Sequence, residues 1–268
     1  FLVGFGFNPD TLQNYLCLIF FSAWYSKPAR RKDAKTLGGF LFFLGVIISL
    51  IMLQPDLGTT MIILASIGAI YVLAREPMKY FILLCVGFVL GIVLLIAIAP
   101  YRMSRLMSFF DFVSDPIHTH DALGSTYHIR QAVVGIGSGG VFGVGPGESR
   151  QKYGYLPFPE TDSIFAVVGE EFGLVGSTFF LFVLLLFLRQ GLLIADRAQD
   201  EFARLLVAGV ITWFSVQIIL NVGAMLATIP FTGVPLLFVS YGGSALVIGF
   251  FAVGILVNIG LSKRRLSC

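Results

Sequence analysis

Four carboxylates fall in one short stretch, Gly154-Tyr-Leu-Pro-Phe-Pro-Glu160-Thr-Asp162-Ser-Ile-Phe-Ala-Val-Val-Gly-Glu170-Glu171-Phe-Gly173, which runs into a segment apolar enough to sit in lipid. A charged group in hydrocarbon costs at least about 2.5 kcal/mol, so it normally faces a wet cavity or a partner and marks a functional site. Carboxylates so placed can move protons, hold cations or line a transport path. Glu160 and Asp162 invite comparison with the paired acids of glycosidases. Two positions apart in a loop fix no separation, however, so neither retaining nor inverting geometry can be read from them. Glu170 and Glu171 fit two roles equally: an outer helical turn facing a cavity, or side chains held by arginines of the preceding connection.

Other clusters carry less. Gln54-Pro-Asp56-Leu-Gly58-Thr59 joins two apolar runs through a proline turn, where Asp56 can cap the following helix, although a cap leaves Gln54 unexplained. Gly135-Ile-Gly137-Ser-Gly-Gly140 has the spacing of a dinucleotide fingerprint but lacks the strand, helix and cytosolic setting that fingerprint needs. Its glycines suit tight turns or close approach of the loop to a ligand, with simple loop flexibility as the alternative. His118-Thr-His120 lacks a third metal ligand and reads as solvated loop. Cys17, Cys85 and Cys268 have no metal or redox spacing and read as packing residues.

The elements that must position these residues are membrane spans. Of 268 residues, 57% are hydrophobic and 12% charged, about half the charge of an ordinary soluble chain. Apolar runs predict seven helices, over approximately Leu12–Tyr25, Leu37–Leu53, Leu57–Ala74, Tyr80–Ala99, Ile164–Leu188, Leu205–Ile229 and Leu236–Leu261. The fold class expected is an all-α polytopic transmembrane bundle forming a single integral domain over residues 1–268. A net charge of +3 with no basic block interleaved with aromatics gives nucleic-acid binding no support.

Lysine and arginine orient such a bundle, because loops rich in them stay cytoplasmic. Lys27, Arg30, Arg31, Lys32 and Lys35, then Arg75 and Lys79, then Arg189, Arg197 and Arg204, then Lys263, Arg264 and Arg265 fall on alternate connections, 13 of the 18 basic residues. The acidic loops are therefore expected outside. The one long connection, residues 100–163, is among them, and a connection of that length tends to be functional. It holds His118, His120, His128, Arg102, Arg105, Arg130, Arg150 and Lys152, with an amphipathic helix expected around Thr126–Val134. The opening Phe1-Leu-Val-Gly-Phe-Gly-Phe does not read as a signal peptide, and the chain is expected to begin inside a longer protein with further spans.

The run Gly143-Val-Gly145-Pro-Gly-Glu-Ser149-Arg-Gln-Lys152-Tyr-Gly-Tyr155-Leu-Pro157-Phe-Pro-Glu160-Thr-Asp162-Ser-Ile-Phe-Ala-Val-Val-Gly-Glu170-Glu171 closely resembles the signature of the SEDS family of FtsW- and RodA-type proteins. Gln54-Pro-Asp56-Leu-Gly58-Thr59 and Pro235-Leu-Leu-Phe-Val-Ser240-Tyr-Gly-Gly243-Ser reinforce it, and the chain corresponds to the last seven of the family's ten spans. Ser149-Arg-Gln-Lys152 is worded more like the FtsW type. The resemblance implies a peptidoglycan glycosyltransferase of the bacterial cytoplasmic membrane, serving cell division or cell shape. Such an enzyme polymerises lipid II onto a growing lipid-linked glycan at the outer face, releases undecaprenyl pyrophosphate and works with a class B penicillin-binding protein.

By that resemblance Asp162 is the base that takes the acceptor sugar's hydroxyl proton. Arg130, Arg150 and Lys152 are candidates to meet the charge on the leaving pyrophosphate, a task a divalent metal such as Mg or Mn could share. Gln54, Asp56, Glu160, Glu170, Glu171 and Ser240 complete the substrate-binding candidates. The chain departs from the family at Phe7-Asn-Pro9-Asp-Thr11-Leu-Gln-Asn14, where members carry Phe-Gln-Pro-Ser-Glu-Leu-Ala-Lys, so a Glu and a Lys thought to line the cavity become Thr11 and Asn14. Two further readings of the acidic stretch are a flippase or transporter of a lipid-linked precursor, and a catalytically weak scaffold of the cell-wall synthase.

Overall fold

In a computed structural model, residues 9–27, 38–40, 42–47, 56–77, 79, 82, 86–87, 89–91, 100–115 and 125–265 are described. Among them every regular element is helical. The labelled helices are α1 (Pro9–Tyr25), α2 (Leu57–Leu73), α3 (Pro100–Ser114), α4 (Ser125–Ser138), α5 (Ile164–Arg197), α6 (Glu201–Met225) and α7 (Gly243–Arg265). A short apolar helix, Gly38–Ile47, lies between α1 and α2 in the chain. Among the described residues, three helices have the length and apolarity to cross a bilayer: α5, α6 and Gly243–Leu261 of α7. The chain is an all-α polytopic bundle.

The expected spans meet these helices with informative differences. Most of Tyr80–Ala99, Gln54, His118 and His120 lie outside the described residues. The long connection contains not one helix but two, and α3 was not anticipated. Its sequence, PYRMSRLMSFFDFVS, has too little mean apolarity to announce a span, yet Phe109 and Phe112 on it are buried. The sixth helix begins at Glu201 and stops at Met225, because Ala227 takes a left-handed φ of 53° and the Thr228 N–H turns back to the Gly223 carbonyl at 2.9 Å, the pattern of a helix C-cap. The last span starts at Gly243 instead of Leu236, since the stretch before it is non-helical, with Phe238 at φ 63°.

Two compact units organise the chain: Phe1–Leu83, Leu186–Val216 and Gly242–Cys268 form the first, Leu84–Leu185 and Gln217–Tyr241 the second. In the first, α1 packs against α2 and α7, and its core is an aromatic cluster in which Tyr25 meets Phe40 and Tyr71 at centroid distances of 5.3 and 5.8 Å. Gly209 lets α6 approach closely, since a Cβ there would sit 2.8 Å from Ile70 Cδ1. Small residues at such contacts are how helices gain packing in a solvent that offers no hydrophobic drive. Asp56 caps α2: its Oδ1 accepts from Thr59 N at 3.0 Å and its Oδ2 from Thr59 Oγ1 at 2.6 Å.

The second unit holds α3 and α4 against each other, with Phe109, Phe112 and Ile129 at their core and Ala227 and Phe231 packed on it. Its distinctive element is the start of α5. Gly173 breaks that helix with φ 66° and ψ −165°, a region open essentially to glycine alone. In lipid a break cannot leave amides unpaired. The glycine-rich turn after α4 supplies the partners: Val144 N and Gly145 N donate to the carbonyls of Glu170 and Glu171, each at 3.0 Å, while Leu174 N and Val175 N donate to the carbonyls of Gly140 and Val141 at 2.9 and 3.1 Å. The turn must come that close, so Gly139 and Gly143 have no room for a Cβ against the carbonyls of Gly169 and Glu171.

Candidate functional site

Two polar clusters arise in the second unit, one at each end of the acidic stretch. In the first, Glu170 is 2% exposed, and its carboxylate accepts from Ser149 Oγ at 2.5 Å, Arg150 N at 3.0 Å and Gln151 N at 3.2 Å. Successive backbone N–H groups around an anion form a nest, and this one wraps the 147–152 turn around the first turns of α5. Glu171 pairs with Lys152, whose Nζ lies 2.8 Å from Oε1 and donates also to the Gly147 carbonyl at 2.7 Å. The hydrogen bond to Glu171 holds the Lys152 ammonium above its ordinary pKa. The glutamates are thus tied to the preceding connection, by Ser149, two amides and a lysine instead of by arginine side chains. Arg130 on α4 and Arg150 in the turn are exposed.

The second cluster holds Asp162. Three consecutive carbonyls are each bonded: Glu160 O accepts from Tyr241 N at 2.7 Å, Thr161 O from Ser240 Oγ at 2.6 Å, and Asp162 O from Asn221 Nδ2 at 2.7 Å. Asn221 Nδ2 also donates to Val234 O at 2.7 Å. Two carbonyl acceptors on one atom demand the amide nitrogen there, which fixes the orientation of the Asn221 side chain. Ser240 Oγ in turn accepts from Leu236 N at 2.6 Å, and Gln217 Nε2 donates to Pro235 O at 2.9 Å. The backbone of the Asp162 turn is fixed from α6 and from the 230–241 segment, while the Asp162 side chain is half-buried. Its Oδ2 borders Gly233, where φ is 72° and a Cβ would lie 3.6 Å away.

Of the residues singled out in the sequence, Glu160, Asp162 and Ser240 come together at this turn, through backbone bonds and the Ser240 hydroxyl. Lys152, Glu170 and Glu171 share the other cluster with the Arg150 amide. Asp56 belongs to the first unit, as the α2 cap. Thr11 is half-buried there and Asn14 is buried, on α1. Asn221, Gln217, Ser163 and His128 were missed. The first two carried a readable signal, a polar pair one helical turn apart inside the apolar α6. Among the described residues no three His, Cys, Asp or Glu side chains converge as a metal site.

Fold and site define a polytopic helical membrane protein that presents one half-buried aspartate on a turn held by its backbone. Residues 1–265 match the family described as cell cycle protein, FtsW/RodA/SpoVE. The chain is 36% identical over 264 residues to stage V sporulation protein E of Bacillus subtilis (strain 168), covering 97% of this chain and 70% of that protein. It is 37% identical over 268 residues to the probable peptidoglycan glycosyltransferase FtsW of Taylorella equigenitalis (strain MCE9), covering 98% and 71%. Among solved structures it resembles, with a TM-score of 0.71 and 25% identity over 97% of this chain and 70% of the other, a chain from the structure described as structural coordination of polymerization and crosslinking by a peptidoglycan synthase complex. The rod shape determining protein RodA of Thermus thermophilus shares the fold, with a TM-score of 0.60 at 19% identity over 97% and 66%.

The chain therefore belongs to the FtsW/RodA/SpoVE family, as its acidic signature implied. It is a multi-pass protein of the inner membrane.

Proposed function

We propose that the chain is a peptidoglycan glycosyltransferase that extends a lipid-linked glycan with lipid II, with Asp162 as general base. The observation that carries the reading is the Asp162 turn itself: three successive carbonyls each held by one donor, so that a half-buried carboxylate is presented at a fixed place in a membrane bundle. A sugar 4-hydroxyl is a weak nucleophile. In the proposed step Asp162 takes its proton as the oxygen attacks the anomeric carbon of the lipid-linked chain; a C–O bond forms there, the C–O bond to phosphate breaks, and its electron pair leaves with undecaprenyl pyrophosphate. General-base help of this kind is worth about 10²–10⁴ in rate.

The alternating basic loops support an Asp162 that faces the outside of the membrane, where lipid II is consumed. Exposed Arg130 and Arg150 are free of the glutamate ion pairing that occupies Lys152, which favours them as partners of the pyrophosphate. Likeness to a chain of a peptidoglycan synthase complex supports a class B penicillin-binding protein as partner. Purified full-length protein given labelled lipid II in liposomes tests the reading. Glycan polymer is the expected product. Lipid II moved between leaflets without polymer would make the protein a transporter, and neither outcome with partner binding retained would make it a scaffold.

A further inference from the structure

His128 is buried at 6% exposure, and its Nε2 lies 2.6 Å from the hydroxyl of Ser163, the residue that follows Asp162. The direction of that bond can be assigned. Ser163 Oγ donates its one proton to the Pro157 carbonyl at 2.9 Å, so toward His128 it can only accept, and the imidazole must carry its proton on Nε2. The same ring packs against the Phe231 ring with a centroid distance of 4.0 Å and a tilt of 55°. Phe231 lies two residues before Gly233, whose backbone borders Asp162 Oδ2. His128 therefore touches both segments that flank the aspartate: the Pro157–Ser163 turn by a hydrogen bond, and the 230–241 segment by its contact with the Phe231 ring.

We propose that His128 is a positioning residue for glycosyl transfer, fixing through Ser163 and Phe231 the direction in which Asp162 presents its carboxylate. This rests on Asp162 being the base. The carbonyl bonds from Asn221, Ser240 and Tyr241 set where the Asp162 backbone lies; the His128 contacts hold the next residue and the opposite wall. A base displaced by about 1 Å can lose about a hundredfold in rate, because proton transfer depends on hydrogen-bond reach. The contacts of His128 orient the base and do not hold substrate, so its loss should lower kcat and leave KM unchanged.

The test compares full-length wild type, Asp162→Asn, His128→Leu, His128→Gln, Ser163→Ala and the His128→Leu/Ser163→Ala double variant in lipid II polymerisation, with thermal unfolding followed in detergent. Wild type must polymerise and Asp162→Asn must be slower by about 10²–10⁴-fold; a wild type that makes no polymer defeats the glycosyltransferase reading, whereas an undiminished Asp162→Asn defeats the role of the base and this proposal with it. Given the contrast, His128→Leu and Ser163→Ala should each lower kcat about ten- to a hundredfold at unchanged KM. The double variant should fall no further than the worse single one, and His128→Gln, which still offers an N–H, should recover most of the rate. Should His128→Leu fail to fold, Ser163→Ala and His128→Gln carry the test alone, since the first must lose kcat and the second retain it. Undiminished kcat in Ser163→Ala, losses that multiply in the double variant, or a rise in KM with kcat intact would overturn the assignment.

Discussion

Asn221 and Ser240 hold the Asp162 turn through its carbonyl oxygens. Replacing Asn221 by Leu leaves the carbonyls of Asp162 and Val234 without their donor, at a cost of about 1–3 kcal/mol for each group left unpaired, and frees the turn to rotate. Asn221→Leu is expected to lower kcat about tenfold or more in lipid II polymerisation, with KM little changed. Ser240→Ala, which releases Thr161 O and Leu236 N, should behave the same way. A Ser240→Ala variant that raised KM alone would show the hydroxyl contacting substrate instead. Asp162 and Ser240 were singled out in the sequence as site candidates, yet the bond from Ser240 to the Asp162 turn was not legible, because a hydrogen bond spanning 79 positions cannot be read from spacing. Asn221 could have been found: an amide in the middle of an apolar helix has to bond to something.

Elements show the opposite pattern, since the helices were legible and the break in α5 was not. An apolar run with Gly169, Gly173 and Gly176 in it looks like an uninterrupted span, and only the glycine turn from α4, bonding to both sides of the break at Gly173, makes the interruption tolerable. Read by itself, that glycine tract suggested tight turns or close approach to a ligand; the close approach is to the protein's own backbone. Gly173→Ala should destabilise the protein by about 1–3 kcal/mol from backbone strain, before any clash with the Gly143 amide is counted. Glu170→Ala should cost at least about 1–3 kcal/mol, because the Ser149 hydroxyl and two amides lose their buried acceptor. Glu170→Gln, which retains one acceptor oxygen, should lose less. Thermal unfolding in detergent, with limited proteolysis of the 143–153 turn, checks the order; equal stability of Glu170→Ala and wild type would remove the nest from the account. Lys152→Met should lower stability less than Glu170→Ala, since its ion pair with Glu171 is partly open to solvent.

At the scale of the whole molecule, composition and charge alternation made an all-α membrane bundle legible, while the two compact units were not. Unit membership follows from long-range packing, such as Gly209 against Ile70, which no local pattern encodes. Orientation has its own test. Tyr153 is exposed in the turn beside the first polar cluster, and Gln199 is exposed between α5 and α6. With the Asp162 side outward, Tyr153→Cys should react with a membrane-impermeant maleimide in intact spheroplasts, and Gln199→Cys only after permeabilisation; the reverse labelling would place the site on the cytoplasmic face. The central claim is tested most directly by the initial rate of lipid II polymerisation by wild-type and Asp162→Asn proteins, each folded and each paired with the same penicillin-binding protein. Loss of the base should reduce that rate about 10²–10⁴-fold, and an Asp162→Asn protein that polymerises as fast as wild type would contradict the account.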